Sequence, residues 1–110
     1  MTEQAFFVLT ALLDGPLHGY AIMQTMVELS DGRIRTRVGT LYGVLDRLAA
    51  EGLIELDRES IVQGRARRYY RLSEDGRNAL ARDAARQAAN ARTALIRLEP
   101  QSLKAFGARP

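Results

Sequence analysis

The sequence predicts a mainly α-helical chain with one small β-hairpin, in the order helix, helix, helix, hairpin, long helix. Two observations predict this class. Apolar residues recur at helical spacing in four segments, and two strand-like segments lie on either side of Gln63-Gly64. The length of 110 residues, 46% of them hydrophobic, suits one globular domain of near-average composition.

The first two helices are separated by a tight turn. Apolar residues at i, i+3 and i+4 predict a helix over Thr2 to Leu13, which Asp14-Gly15-Pro16 ends. A second helix is expected from Leu17 to Leu29, closed by Ser30-Asp31-Gly32. The alternation of polar and apolar residues from Arg33 to Val38 then indicates a very short strand.

The third helix, from Gly39 to Glu51, has two distinct faces. With Leu41 at 0° and about 100° per residue, Leu45 and Leu48 fall within about 40°, which predicts a buried face. Small and polar residues share the opposite face: Gly39, Thr40, Gly43, Asp46, Arg47 and Ala50. This face is either simply solvated or able to approach the floor of a DNA groove closely, with Thr40 and Arg47 as contacts. Tyr42, on the flank, either reaches a phosphate or covers the edge of the core.

The hairpin is predicted from Leu53 to Arg58 and from Arg67 to Leu72, with Tyr70 and Leu72 in the core. Three arginines lie at and just after its turn: Arg65, Arg67 and Arg68. They offer charge to the phosphates of a duplex. The alternatives are protection of an edge strand against aggregation, or stacking of single-stranded RNA together with the neighbouring tyrosines.

The last helix begins after Ser73, a good N-cap, and is expected to end at Leu98 before Glu99-Pro100. One face of this helix is too apolar to be left exposed to solvent, and we expect it to form a dimer interface. The residues of this stripe are Leu80, Ala84, Ala88, Ala91, Leu95 and Leu98. Residues 99–110 have no period and are expected to form a flexible tail.

Composition excludes several function classes. The chain has no cysteine and one histidine, His18, so a disulfide framework and a multi-histidine metal site are ruled out, and a catalytic triad is disfavoured. His18 itself is expected to cap or pack. The apolar runs are too short for a membrane helix, and we expect no secretory signal, because the residues before the first apolar run include Glu3 and no basic residue. We therefore expect a cytoplasmic protein that is not an enzyme and has no metal, cofactor or membrane partner.

The basic residues are almost all arginine and are unevenly placed. Fifteen of the sixteen are arginine, a side chain whose planar fork of donors suits phosphates and guanine edges. A genome rich in G and C would also favour arginine over lysine, but it would not explain where the arginines cluster. Residues 1–52 contain four basic and six acidic residues, whereas residues 53–110 contain twelve and seven. The second half of the chain is therefore the basic half.

This order of elements is that of a winged helix-turn-helix, in which the third helix enters the major groove and the hairpin wing rests on the backbone or minor groove. We expect a DNA-binding domain over residues 1–72, a dimerisation helix over 73–98 and a tail over 99–110. Double-stranded DNA is the expected partner. The expected contacts are Arg37, Thr40, Tyr42, Gly43, Arg47, Arg65, Arg67 and Arg68.

The sequence also resembles the PadR family of bacterial transcriptional regulators. The matching motifs are His18-Gly19-Tyr20, Gly39-Thr40-Leu41-Tyr42, Leu45-Asp46-Arg47-Leu48, Glu51-Gly52-Leu53-Ile54 and the segment Gly64 to Ser73. Ala66 and Gly43 stand where many relatives have proline. The resemblance implies a homodimer held by the last helix that binds palindromic operator DNA, usually as a repressor.

A small-molecule effector is also implied by the resemblance. Some short relatives hold flat aromatic effectors between tryptophans, which this chain lacks. Phe6 and Phe7 either line a pocket here or, as we expect more, simply pack in the core. The alternative function is a winged-helix dimer that binds proteins or small molecules without DNA.

Overall fold

The computed structural model describes residues 1–105, with side chains to Glu99. Helix α1 spans Glu3–Ala11 and continues into a 3-10 turn, Leu12–Asp14. The elements that follow are strand β1 (Leu17–His18), helices α2 (Gly19–Leu29) and α3 (Val38–Ala50), strands β2 (Ile54–Val62) and β3 (Arg65–Leu72), and helix α4 (Glu74–Ala105). The mainly helical class with a small antiparallel sheet is confirmed.

One core joins the first three helices to the sheet. The fully buried side chains include Leu9 of α1, Ile22 and Met26 of α2, Leu41 and Leu45 of α3, and Ile54 of β2. These positions repeat at helical spacing along each helix, and their burial provides the main force that fixes α3 against α1 and α2. The opposite face of α3 is thereby held outward.

The sheet has three strands in the order β1-β3-β2, all antiparallel. Strand β1 consists of Leu17 and His18, which pair with Tyr70 and Tyr69 of β3. It was not predicted, because two residues are too few to show a strand pattern. The predicted turn at Gln63-Gly64 is confirmed: both residues have positive φ, 53° and 77°, as in the type I′ hairpin turn. The strands are longer than expected and extend to this turn.

A short strand was expected at Arg33–Val38, and the structure shows that this prediction is wrong. Ser30, which is buried, uses its Oγ to accept a hydrogen bond from the Ile34 backbone N–H at 2.9 Å. Asp31 and Gly32 both have positive φ and turn the chain at this point. Because the turn uses a backbone donor at Ile34 locally, residues 33–37 run as irregular chain into α3.

Helix α4 starts as the sequence predicts. The Ser73 Oγ accepts a hydrogen bond from the Gly76 N–H at 2.9 Å and donates one to the Gly52 carbonyl at 2.6 Å. A Cβ at Gly76 would collide with the Leu53 carbonyl, so this first turn packs tightly on the loop before β2. The N-cap of α4 thus also fixes the position of the sheet.

The far end of α4 differs from the prediction. The helix continues through Pro100 to Ala105 instead of ending at Leu98. A proline usually ends or bends a helix, because it lacks a donor N–H and its ring crowds the preceding turn, but here the residues on both sides of position 100 are helical. Residues 106–110 of the expected tail lie outside the described residues.

The chain divides into two compact units, Met1–Leu80 and a second that begins at Ala81. In the second unit, Asp83 accepts hydrogen bonds from Arg86 at 2.7 Å and Gln87 at 2.8 Å. These hydrogen bonds lower the pKa of Asp83 to about 2, and the bond from Arg86 has the larger effect. Within the described residues, none of the helices is both long and apolar enough to cross a membrane.

Candidate nucleic-acid interface

The predicted two faces of α3 are present in the structure. Leu41, Leu45 and Leu48 are buried together with Val44, whereas Thr40, Tyr42, Gly43 and Arg47 are exposed. A Cβ added at Gly39 or Gly43 would meet nothing within 4 Å, so the helix surface is flat and open there. A flat, exposed face with a hydroxyl and a guanidinium at its edge is suited to insertion into a groove.

A groove of about 740 Å³ lies between this helix and the hairpin. We call it the wing groove. Its walls come from the start of α2, from α3 and from the hairpin turn: His18, Gly19, Tyr20, Tyr42, Val62, Gln63, Arg65, Ala66, Arg67 and Arg68. The structure thus brings the expected Tyr42 together with the three expected arginines of the wing.

Tyr69 organises the base of the wing. Its ring lies perpendicular to that of His18, with 5.4 Å between ring centroids, and the Arg58 guanidinium lies over the Tyr69 ring, 3.9 Å from its centre. Hydrogen bonds of its hydroxyl with Arg67, and more weakly with Ser60, lower the pKa of Tyr69. Tyr69 therefore holds Arg58 by a cation–π contact and lies beside Arg67.

His18 joins this cluster to α2. Its Nδ1 accepts a hydrogen bond from the Ala21 N–H at 3.4 Å and so caps the helix, as expected for a capping or packing role. Burial, and then the charge of Arg67, lower the pKa of His18. The neutral ring is therefore the form that the folded protein favours.

The wing arginines differ in how they are paired. Arg68 donates to the Glu59 carboxylate at 3.2 Å, and hydrogen bonds to Tyr70 and Glu59 raise its pKa. Arg71 lies 3.5 Å from Glu55 and 3.4 Å from Asp57. Arg65, at the turn, has no ion-pair partner among the side chains of residues 1–99.

Arg37 and Arg47 are likewise exposed, and neither has an ion-pair partner in the part of the chain whose side chains are described. Arg37 precedes α3 as its N-cap and contributes no side-chain cap. Both guanidiniums are therefore available to a phosphate at the two ends of the exposed face.

The Tyr42 side chain packs directly against Gly19. A Cβ at Gly19 would lie 2.9 Å from the Tyr42 hydroxyl, so a larger residue there would displace the phenol from this wall of the wing groove. Tyr42 both covers the start of α2 and, 44% exposed, presents its hydroxyl to the groove.

The predicted dimer stripe is only partly exposed. Leu80 is 6% exposed and belongs to the core of the first unit, so its expected place in the interface is wrong. Ala84 is half-buried, and Ala88 and Ala91 are exposed. Leu95 and Leu98 are 65% and 50% exposed, and Ile96, which was not predicted, is 61% exposed.

The expected effector residues pack on each other. The Phe6 and Phe7 rings meet edge to face with 5.5 Å between centroids, and both pack against the core. This arrangement gives them a packing role. Among the described residues, no group of three His, Asp or Glu side chains is arranged to hold a metal ion.

Sequence reasoning missed Tyr69, His18 and Tyr20 as residues of this surface. Their signal was weak because their placement depends on β1, whose two residues are too few to show a strand pattern. Pairing of His18 with Tyr69 in the sheet brings the start of α2 to the wing.

The model of the transcriptional regulator PadR-like family matches residues 8–82, more than half of the chain. Among curated proteins, the transcriptional regulator Rv3488 of Mycobacterium tuberculosis is 44% identical over 70 residues, which are 64% of this chain and 62% of that protein. The chain spans less than two thirds of the length of the curated relatives that it matches.

Solved structures show the same fold. A PadR family transcriptional regulator from Eggerthella lenta has a TM-score of 0.72 and 27% identity, covering 86% of this chain and 80% of that one. Bacillus subtilis PadR, solved in complex with operator DNA, has a TM-score of 0.62 and 26% identity, covering 70% of this chain and 44% of that one. The residues that line the wing groove, from His18 to Arg68, all fall within the family match.

Proposed function

The chain belongs to the transcriptional regulator PadR-like family, and from this premise we propose that it is a homodimer that binds an inverted-repeat operator and represses transcription. The operator complex of the Bacillus subtilis relative supports DNA as the partner. The observation that carries the proposal is the exposed face of α3 beside the arginine-bearing wing groove. Repression follows when the bound dimer blocks access of polymerase to the promoter.

In this proposal, α3 lies in the major groove. Gly39 and Gly43 let the helix backbone approach the base edges, because neither position carries a side chain to hold it away. Thr40 contacts a phosphate or a thymine methyl, and Arg47 contacts a phosphate or a guanine. Asp46, the acidic residue on this face, is suited to accept from the amino group of a cytosine.

The wing supplies contacts that do not depend on sequence. Arg65 and Arg67 donate to backbone phosphates, Arg65 at the turn and Arg67 from strand β3. Arg68 contributes less, because the Glu59 carboxylate 3.2 Å away places a negative charge beside its guanidinium. The Tyr42 hydroxyl adds a neutral donor at the opposite wall of the wing groove.

The dimer is formed through α4. Ala84, Ala88, Ala91, Leu95 and Leu98 alternate in spacing between four and three residues, the heptad pattern of a two-helix seam. Their exposure in one chain leaves this apolar stripe available to a second copy. Alanine in the middle of the stripe allows close approach of the two helices.

A gel-shift titration tests this function. The probe is the DNA upstream of the protein's own gene, and the control is a duplex of the same length and composition with shuffled sequence. We expect a discrete complex with the upstream DNA at a much lower protein concentration, and affinities for both probes that fall as salt rises. Equal binding of both probes would contradict sequence-specific regulation, and no binding of either would contradict DNA binding.

A further inference from the structure

The exposed face of α3 is bounded by a different residue on each flank. Tyr42 and Arg47 are five residues apart, which places them about 140° apart around the helix axis. Tyr42 lines the wing groove, whereas Arg47 lines a second cleft of about 430 Å³ on the other side. We call this second cleft the α1 cleft, because the start of α1 forms one of its walls.

The α1 cleft gathers three guanidiniums from two parts of the chain. Arg33 and Arg35 come from the irregular segment before α3, and Arg47 comes from the helix itself. Arg33 is 3.8 Å from the Glu3 carboxylate, and both side chains are more than half exposed, so this pair is weak. Arg35 and Arg47 have no ion-pair partner among the side chains of residues 1–99.

The irregular segment that carries Arg33 and Arg35 is well anchored. The Ser30 Oγ holds the Ile34 N–H, and Ile34 is buried between the two arginines in sequence. The Arg35 guanidinium lies over the Gly32 turn, 3.6 Å from where a Cβ would stand. The arginines therefore project from a fixed backbone, which keeps their positive charge close to the cleft.

We propose that the α1 cleft binds a backbone phosphate of DNA, on the strand opposite the one that meets the wing groove. A helix that lies in the major groove, about 12 Å wide, has one strand on each flank. The Tyr42 flank faces the strand at the wing, so the Arg47 flank faces the other strand. Two guanidiniums with free donors match the oxygens of a phosphodiester.

This inference rests on the proposed function but assigns a contact that the function does not require. The wing and the α3 face alone suffice for a DNA-binding protein. The α1 cleft adds a contact between Arg35 and a phosphate of the second strand. Glu3 is then expected to weaken binding, because it pairs with Arg33 and adds negative charge to the cleft.

Salt-dependent binding to a duplex of mixed sequence tests the α1 cleft, because phosphate contacts do not depend on sequence. We expect Arg35→Ala to reduce the slope of log affinity against log salt by about one unit. A slope of about 0.9 for one phosphate contact is a factor of about eight in affinity between 1 M and 0.1 M salt. We therefore expect Arg35→Ala to bind about eightfold more weakly at 0.1 M salt. Glu3→Gln is expected to tighten binding.

Two variants provide matched controls. Arg35→Lys keeps the charge and should retain most of the slope, whereas Arg77→Ala removes an exposed arginine outside both clefts and should leave the slope nearly unchanged. Far-ultraviolet circular dichroism and thermal unfolding establish that each variant is folded, and Arg35→Gln replaces the alanine variant if that one is not.

The outcomes separate this proposal from the one on which it rests. If Arg35→Ala behaves like Arg77→Ala while Arg65→Ala loses slope, the α1 cleft is not a phosphate site and the proposed function stands. If the unmodified protein shows no salt-dependent binding to any duplex, the proposed function itself fails. Loss of slope in both Arg35→Ala and Arg65→Ala supports contacts to both strands.

Discussion

His18 couples the start of α2 to pH. Its Nδ1 can accept the Ala21 N–H only while that nitrogen is unprotonated, and its ring packs on Tyr69 beside the positive Arg67. Burial and Arg67 lower the pKa of His18 in the folded protein. As pH falls, the unfolded chain therefore takes up a proton on this residue before the folded chain does.

The stability contributed by neutral His18 should be full above its ordinary pKa of about 6.5 and should be lost as pH falls through the lowered value. Thermal unfolding across this range measures the loss. His18→Asn is the control, because asparagine caps a helix but does not titrate here. The chain has one histidine, so a pH dependence equal in both proteins would mean that His18 is not responsible.

Gly43 is a residue at which stability and binding should change in opposite directions. It lies in the middle of α3, where alanine is favoured over glycine by about 0.5–1 kcal/mol, and its Cβ position is open. We expect Gly43→Ala to raise the free energy of unfolding by about this amount and to weaken binding to operator DNA, since the methyl group would separate helix and groove. Denaturant unfolding and a binding titration of the same preparation measure both. Unchanged affinity would mean that this face of α3 does not meet the DNA.

At the scale of elements, the spacing of apolar residues was sufficient to predict each helix that buries one face. The leucines of α3 predicted its buried side, and Gln63-Gly64 predicted the hairpin turn, because both patterns are local. Strand β1 was not predictable, since two residues are too short for a pattern and their pairing with β3 depends on the fold. The irregular segment after α2 alternates like a strand, but the Ser30 hydrogen bond fixes it otherwise.

The candidate site was predicted only in part, because some of its features depend on local patterns and others depend on the fold. The exposed residues of α3 and the wing arginines follow from periodicity, whereas the pairing of those arginines follows from strand register. That register depends on an irregularity between Leu56 and Arg58, where β2 has one more residue than β3. The assignment of Glu59 to Arg68 could therefore not be read from spacing alone.

The wing offers a test of this pairing. Arg65 has no acidic partner in the described part of the chain and Arg68 is engaged by Glu59, so Arg65→Ala should reduce the salt slope by about one unit and Arg68→Ala by much less. Glu59→Gln should strengthen binding, because it releases Arg68. Fluorescence anisotropy with a labelled duplex at several salt concentrations measures all three. A larger loss in Arg68→Ala than in Arg65→Ala would contradict the assigned roles.

At the scale of the whole molecule, the proposed function requires two copies of the chain. Light scattering should give twice the chain mass of 12.2 kDa at micromolar concentration. Replacing Leu95 and Leu98 with aspartate should give monomer, because the interface would bury unpaired charges. Thr93→Asp, on the same helix but outside the stripe, should remain dimeric. A folded Leu95→Asp, Leu98→Asp double variant that stayed dimeric would contradict the proposed interface.

The dimer and α3 together dictate the geometry of the operator. Two identical helices related by a two-fold axis meet two copies of one half-site, inverted relative to each other. Helices that enter the same face of B-DNA lie about one turn apart, roughly 34 Å or 10 base pairs between centres. Protection of the upstream DNA from cleavage should therefore reveal an inverted repeat at about this spacing.

The most direct test of sequence reading by paired α3 helices is the affinity for operators with DNA inserted between the half-sites. An insertion of about half a turn, five base pairs, rotates one half-site to the far face of the duplex, whereas an insertion of about a full turn returns it to the same face. We predict that the half-turn insertion lowers affinity by the contacts of one subunit, and that shuffling one half-site has a similar effect. Affinity that is the same for the natural, inserted and shuffled operators would contradict the account.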